Sequence, residues 1–254
     1  MTVSFSVRRF FTHHLPVIAF WWLVWEGANL LVDASIIIVS PREAFARLFA
    51  LAGTHIFWVS TGQTLSRVLL GFFLALAAGV LLAAMSKISR AFYRLILPAI
   101  NVLNAIPIAS FVLLALMAIP ATHLAAFIAF VTVLPIVFYN TYKGIEATDA
   151  ALLEMAAVFR IPTWKTIVYI YLKSVSPYVL SAANVGIGFA WKSGIAAELI
   201  GLVAGTIGFH LHSARIWLNT ADLFAWTIAI VLLSCVMEKI IVLLIERMTK
   251  WQSS

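Results

Sequence analysis

The sequence predicts an all-α membrane protein with six transmembrane helices and one helical loop exposed to water. Three observations carry that expectation. Of 254 residues, 63% are hydrophobic and only 11% are charged, against about 25% charged in an ordinary soluble domain. The apolar residues come in long unbroken runs, and a helix needs ~20 of them to cross a hydrocarbon core. Lys and Arg fall unevenly between those runs. A helical bundle follows because lipid offers no partner for exposed backbone groups. A β-barrel would show short alternating segments instead. The formal net charge of +7 reads as the positive-inside rule, and no nucleic-acid partner is expected. Cys235, the single cysteine, makes no intrachain disulfide.

The first span is Leu15–Leu31, with Trp21, Trp22 and Trp25 as interfacial anchors. Ser40-Pro41 then opens a short amphipathic helix over Pro41–Leu51, proline occupying a first turn where its missing N–H costs nothing. The second span is Thr64–Met85. The third is Leu95–Met117 with Pro98 and Pro107 inside it, and the fourth is Ala121–Tyr142 with Pro135 inside it. A segment carrying charges of both signs follows, residues 144–176. The fifth span is Pro177–Leu202 and the sixth Leu223–Ile245.

Orientation comes from the basic residues. Arg8, Arg9, Lys87, Arg90, Arg94, Lys143, Arg160, Lys165, Lys173, Arg247 and Lys250 fall on one side of the six-span layout, and Arg42, Arg47 and Arg215 on the other. That bias places both termini and residues 143–176 in the cytoplasm. No repeat or linker interrupts the chain, so 1–254 is expected to be a single membrane domain.

Within the polar loop, residues 147–159 are mostly good helix formers. Asp149 stands near the N-terminal end, where its charge suits the macrodipole. Leu152, Met155, Ala156 and Phe159 make an apolar stripe at helical spacing. Arg160-Ile161-Pro162 ends the run, and Pro162 suits the start of a second helix with Trp164 and Ile167.

Glu154, Ala156 and Arg160 here, followed by Ile170 and Leu172, resemble the E-x-A-x-x-x-G loop of ABC importer permeases. A second pattern runs Gly186-Ile187-Gly188-Phe189-Ala190-Trp191, then Ala196-Ala197-Glu198-Leu199, Gly208 and Thr220-Ala221-Asp222. Together they resemble the taurine, aliphatic-sulfonate and nitrate importer permeases, over roughly residues 60–251. Two residues depart from that pattern: Ser174 stands where the family has proline, and Arg160 where it has glycine. An arginine there either pays for a positive φ or uses another turn.

The resemblance implies a type I ABC importer-like permease in a bacterial cytoplasmic membrane. Two copies would form the pathway, two ABC ATPase subunits would dock on the loops, and an extracytoplasmic binding protein would deliver solute. The chain itself would hydrolyse nothing and hold no cofactor or metal, with ATP and Mg on the ATPase. Glu154, Met155, Ala156, Ala157, Phe159 and Arg160 would couple to that ATPase. The solute would be a small organic or inorganic anion, sulfonates first; the alternatives are a vitamin or vitamin precursor (pyrimidine or riboflavin-like) and a non-transport membrane scaffold.

Polar residues inside spans are candidates for the pathway. Ser181, Asn184, Gly188 and Lys192 share one face of the fifth span. Lys192 is an intramembrane cation, either meeting an anion, pairing with a carboxylate such as Glu198, or snorkelling. Asn101 and Asn104 share a face of the third span, where Pro107 frees the Leu103 carbonyl and kinks the helix. Trp191 and Glu198 complete the set through the second pattern. Gly186–Ser193 nearly fits a phosphate loop, but Trp191 occupies the second glycine position and no strand precedes it. His210 and His212, two apart with no carboxylate or cysteine cluster beside them, are not expected to bind metal.

Overall fold

The structure, a computed structural model, describes residues 4–32, 34 and 36–252, with the side chains of 16–32, 34, 36–241 and 243. All regular structure among them is helical. In order the helices are α1 (Ser4–Val32), α2 (Pro41–Ala52), α3 (His55–Ile88), α4 (Arg90–Ala105), α5 (Ile108–Leu116), α6 (Ala121–Glu146), α7 (Ala150–Val158), α8 (Thr163–Thr166), α9 (Leu172–Gly201), α10 (Ile207–Ile216) and α11 (Thr220–Gln252). A π-helical turn, Ile167–Tyr171, joins α8 to α9.

Among the described residues, three helices qualify by length and composition to cross a membrane: His55–Ile88, Ala121–Glu146 and Thr220–Ile241. The pair α4 and α5 adds a fourth if read as one broken span. The apolar stretch Pro16–Val32 of α1 is shorter. α9 has the length but not the composition, because its serines, Asn184, Lys192 and Glu198 dilute the apolar residues.

The third run departs from the expected single helix. α4 and α5 meet at 104°. Ile106, which precedes Pro107, is extended at φ −70° and ψ 128°, as a pre-proline residue prefers. Pro107 has no N–H to continue the ladder and becomes the N-cap of α5. Pro98, Pro135 and Pro177 are accommodated inside α4, α6 and α9. The fifth helical run also begins earlier than expected: Pro177 lies within a helix that is continuous from Thr163.

The described chain forms two compact units. The smaller comprises Met1–Trp58 and His210–Ile230. In it Ser40 caps α2 by accepting the Glu43 N–H, with Pro41 in the first turn. The Trp25 indole N–H donates to the Val39 carbonyl at 3.0 Å, and its ring stacks on Phe224. Arg47 pairs with Asp222, and Trp226 is flanked by Phe57 and His210.

The larger unit comprises Val59–Phe209 and Val231–Ser254. Its core is α6 packed on α9, with α3 alongside. Small residues allow the helices to approach closely, as in membrane bundles generally. A Cβ on Gly71 of α3 would lie 2.1 Å from the Ala126 carbonyl oxygen of α6, and one on Gly194 of α9 would lie 2.5 Å from Val68 of α3.

Candidate functional site

The loop after α6 folds as a capped helix. Asp149 accepts the Ala151 N–H at 2.8 Å and so caps α7. At the other end Arg160 adopts the left-handed conformation, φ +50°. Its N–H reaches the Ala157 carbonyl at 3.1 Å, and the Ile161 N–H reaches Ala156 at 2.8 Å. This is a Schellman cap, a turn that glycine usually makes. Arg160 therefore takes the strained alternative rather than a different turn, and it keeps the standard exit geometry.

α7 buries Ala156 and leaves Glu154, Met155, Ala157, Phe159 and Arg160 exposed. Its outer surface is apolar, with Val158 77% and Phe159 73% exposed. Trp164 at the start of α8 is also exposed, with the Lys165 ammonium 5.5 Å from its ring. Exposed apolar patches of this kind mark interaction sites or lipid contact. From Thr163 the backbone stays helical through the π turn into α9.

On α9 the candidate residues divide. Ser181, Asn184 and Lys192 lie on an exposed face. Trp191 and Glu198 are turned inward and are 1% and 0% exposed. Beside the exposed face the break between α4 and α5 opens a cavity of about 310 Å³, lined by Asn104, Phe111, Thr132, Val185 and Phe189 among others. Asn104 is thus brought near the exposed α9 face. Asn101, one turn earlier, accepts a hydrogen bond from the Tyr139 hydroxyl.

Glu198 is part of a buried clasp. Its Oε2 accepts from the Thr64 hydroxyl at 2.8 Å and from the Gly208 N–H at 3.4 Å. The Ile207 N–H donates to Thr64 Oγ1 at 3.1 Å. Arg67 Nη1 stands 3.9 Å from Oε1. Arg67, not Lys192, is the cation facing this carboxylate. A Cβ on Gly208 would lie 2.5 Å from the Glu198 Cβ and 2.6 Å from the Leu199 nitrogen, so the glycine of the second pattern is fixed by the approach of Glu198. The pattern binds α3, α9 and the start of α10 together.

Residues 68–250 match the model of a family described as the binding-protein-dependent transport system inner membrane component. The chain belongs to that family. It is a multi-pass membrane protein and the permease component of an ABC importer. Among relatives, SsuC of Bacillus subtilis (strain 168), assigned to aliphatic sulfonates transport, is 30% identical over 118 residues, 46% of this chain. The match spans 42% of that relative's length. The taurine transport system permease protein TauC of Escherichia coli (strain K12) is 22% identical over 91% of this chain and 85% of its own. The fold matches a chain in the crystal structure of a bacterial alginate ABC transporter in complex with an alginate pentasaccharide-bound periplasmic protein. There the TM-score is 0.62 at 14% identity, covering 100% of this chain and 99% of that one.

Three features of this permease were not singled out from sequence. The cavity at Pro107 depends on how far the chain turns there. The partners of Glu198 are remote, Thr64 lying 134 residues away. Glu238 on α11 has its Oε1 beside Gly188; an acidic residue inside the last apolar run was the signal for it.

Proposed function

We propose that two copies of this permease form a translocation pathway for a small organic or inorganic anion, sulfonates first. The six apolar runs of one membrane domain would be its spans, with both termini in the cytoplasm. α7 would be the coupling helix, received in a cleft of an ABC ATPase that carries ATP and Mg. A binding protein outside the membrane would deliver the solute. The observation that supports this most is α7 itself: a capped helix with an open apolar face, within the family-matched segment and joined by a four-residue turn to the helix that runs from Thr163 through the π turn and carries Lys192. The names of SsuC and TauC support a sulfonate, and an exposed Lys192 supports an anion.

ATP binding would draw the two ATPases and both α7 knobs together and reorient the spans, the two states differing in their contacts with solute. The test is reconstitution of the permease with its ATPase and binding protein in vesicles. ATP-dependent accumulation of a radiolabelled alkanesulfonate is expected. Vigorous ATP hydrolysis with no accumulation of sulfonates or other small anions would overturn the substrate assignment.

A further inference from the structure

α3 passes into α4 through a single residue. Ser89 is extended, at φ −128° and ψ 112°, and its hydroxyl oxygen accepts the Phe92 N–H at 3.2 Å, so a cap fixes the corner. Three cations surround it. Lys87 lies in the last turn of α3, Arg90 and Arg94 stand one turn apart on α4, and all three are exposed. Like charges four residues apart on a helix repel. Among the described residues none of the three is in an ion pair. The sequence has no Asp or Glu between Glu43 and Glu146. Glu146, at the end of α6, interacts with the Tyr142 hydroxyl, as does Arg90. One carboxylate against Lys87, Arg90, Arg94 and Lys143 leaves positive charge in excess.

Depth and shape point to a lipid. Residues 68–86 of α3 carry no charge, close to the ~20 residues that cross a hydrocarbon core. That puts Lys87 at the level of the headgroups. The rings of Tyr93 and Tyr142 stack with centroids 4.8 Å apart, in the zone where aromatic side chains gather in membrane proteins. Ile88 is 87% exposed. With Met85 and Leu81, at helical spacing, it makes an exposed apolar stripe that runs from the corner along α3 toward the middle of the membrane. A cationic rim above an apolar stripe matches a phosphate joined to acyl chains. A soluble anion would use the rim and leave the stripe bare. A soluble protein would reach the rim but not the part of the stripe inside the hydrocarbon.

We propose that the corner between α3 and α4 is a binding site for an anionic phospholipid. The phosphate lies between the Arg90 and Arg94 guanidinium groups, whose planar forks match its oxygens. Lys87 adds a third charge, and an acyl chain lies along Ile88, Met85 and Leu81. With both termini in the cytoplasm, the site faces the cytoplasmic leaflet, whose surface is negative. It uses none of the residues assigned to the solute or to the ATPase, so it does not depend on which solute is carried.

The test is native mass spectrometry of the full-length permease, purified alone and with its ATPase. The micelles are doped with equal amounts of phosphatidylglycerol and phosphatidylcholine of matched chains. The wild type is expected to retain phosphatidylglycerol over phosphatidylcholine by about tenfold, within what three cations at an anionic surface supply. Arg90→Gln combined with Arg94→Gln should bring that ratio close to one. Arg94→Gln alone, which keeps the first turn of α4 intact, should lower it severalfold at the wild-type melting temperature. Arg42→Gln, on α2, should leave it unchanged. A full preference retained in Arg94→Gln overturns the inference. An equal fall in Arg42→Gln also overturns it, by making retention a matter of net charge alone. Displacement of the lipid by an equimolar amount of glycerol phosphate would make this a plain anion site and overturn the lipid assignment. Loss of the ATPase from the double variant, with lipid retention unchanged, would make the corner a protein-docking surface instead.

Discussion

Arg160, Leu202 and Leu218 all have positive φ, near +50°, and they end α7, α9 and α10. Each is a side chain in a place that suits glycine, at a cost of roughly 1–2 kcal/mol. Arg160→Gly is therefore expected to raise the melting temperature of the purified permease while preserving the α7 exit. A fall in melting temperature would mean that the arginine side chain contributes more than its backbone costs. Gly208 shows the opposite limit. Gly208→Ala would drive a methyl into the Glu198 Cβ and the Leu199 nitrogen, and backbone atoms cannot swing aside. A loss of about 1–3 kcal/mol is expected, read as reduced folded yield in detergent.

His210 adds a pH dependence at the same scale. Burial against Trp226 pushes its imidazole below the ordinary value of 6.5, and Asp222 opposes that shift. The unfolded chain then takes up a proton before the folded one does. Stability is fully present above the ordinary histidine range and declines as pH falls through it toward the lower folded value. Melting temperature should drop between neutral and mildly acidic pH, and His210→Gln should flatten that slope.

At the scale of single elements, legibility followed the range of the interactions. α2 could be read from Ser40-Pro41, and α7 from its helix formers with Asp149, because caps act within three residues. The break at Pro107 was legible as a kink but not as a turn of 104°; that angle needs an extended Ile106, which a local pattern leaves open. Glu198 was noticed through its motif, yet its partners come from Thr64, Arg67 and Gly208, on segments that only the folded bundle brings together. Trp191 lay on the expected helix but on its inner side, since which face of α9 turns inward is settled by packing. For α7 the expected outcome is sharp. Phe159→Glu and Glu154→Lys should leave the protein inserted while the ATPase no longer co-purifies. Co-purification at wild-type yield with normal uptake would remove α7 from the coupling role.

For the molecule as a whole, labelling tests the topology: among the described residues three helices, or four with the broken pair, qualify as spans by length and composition. The six-span layout makes opposite predictions for α2 and α7. With Cys235 replaced by serine, a cysteine at Arg42 should react with an impermeant reagent only from outside the cell. A cysteine at Phe159 should react only from inside. Labelling of both from one side would require a different number of crossings between them.

The helix that starts at Thr163 does not stop until Gly201. Its 39 residues make a rod of roughly 58 Å at the standard rise, with the π turn near its lower end. A stiff rod pivoted between two neighbours behaves as a lever. A push on its foot appears at its head as a swing in the opposite sense, scaled by the ratio of the two arms. Gly194 lets the Val68 side chain of α3 press close on the rod, and a fulcrum lies where its neighbours hold it most tightly. Sideways travel at Lys192 is then set by its height above that grip. Under the proposed coupling role, a small stroke delivered before the π turn would reach Lys192 through the rod, without a chain of rearranging side chains.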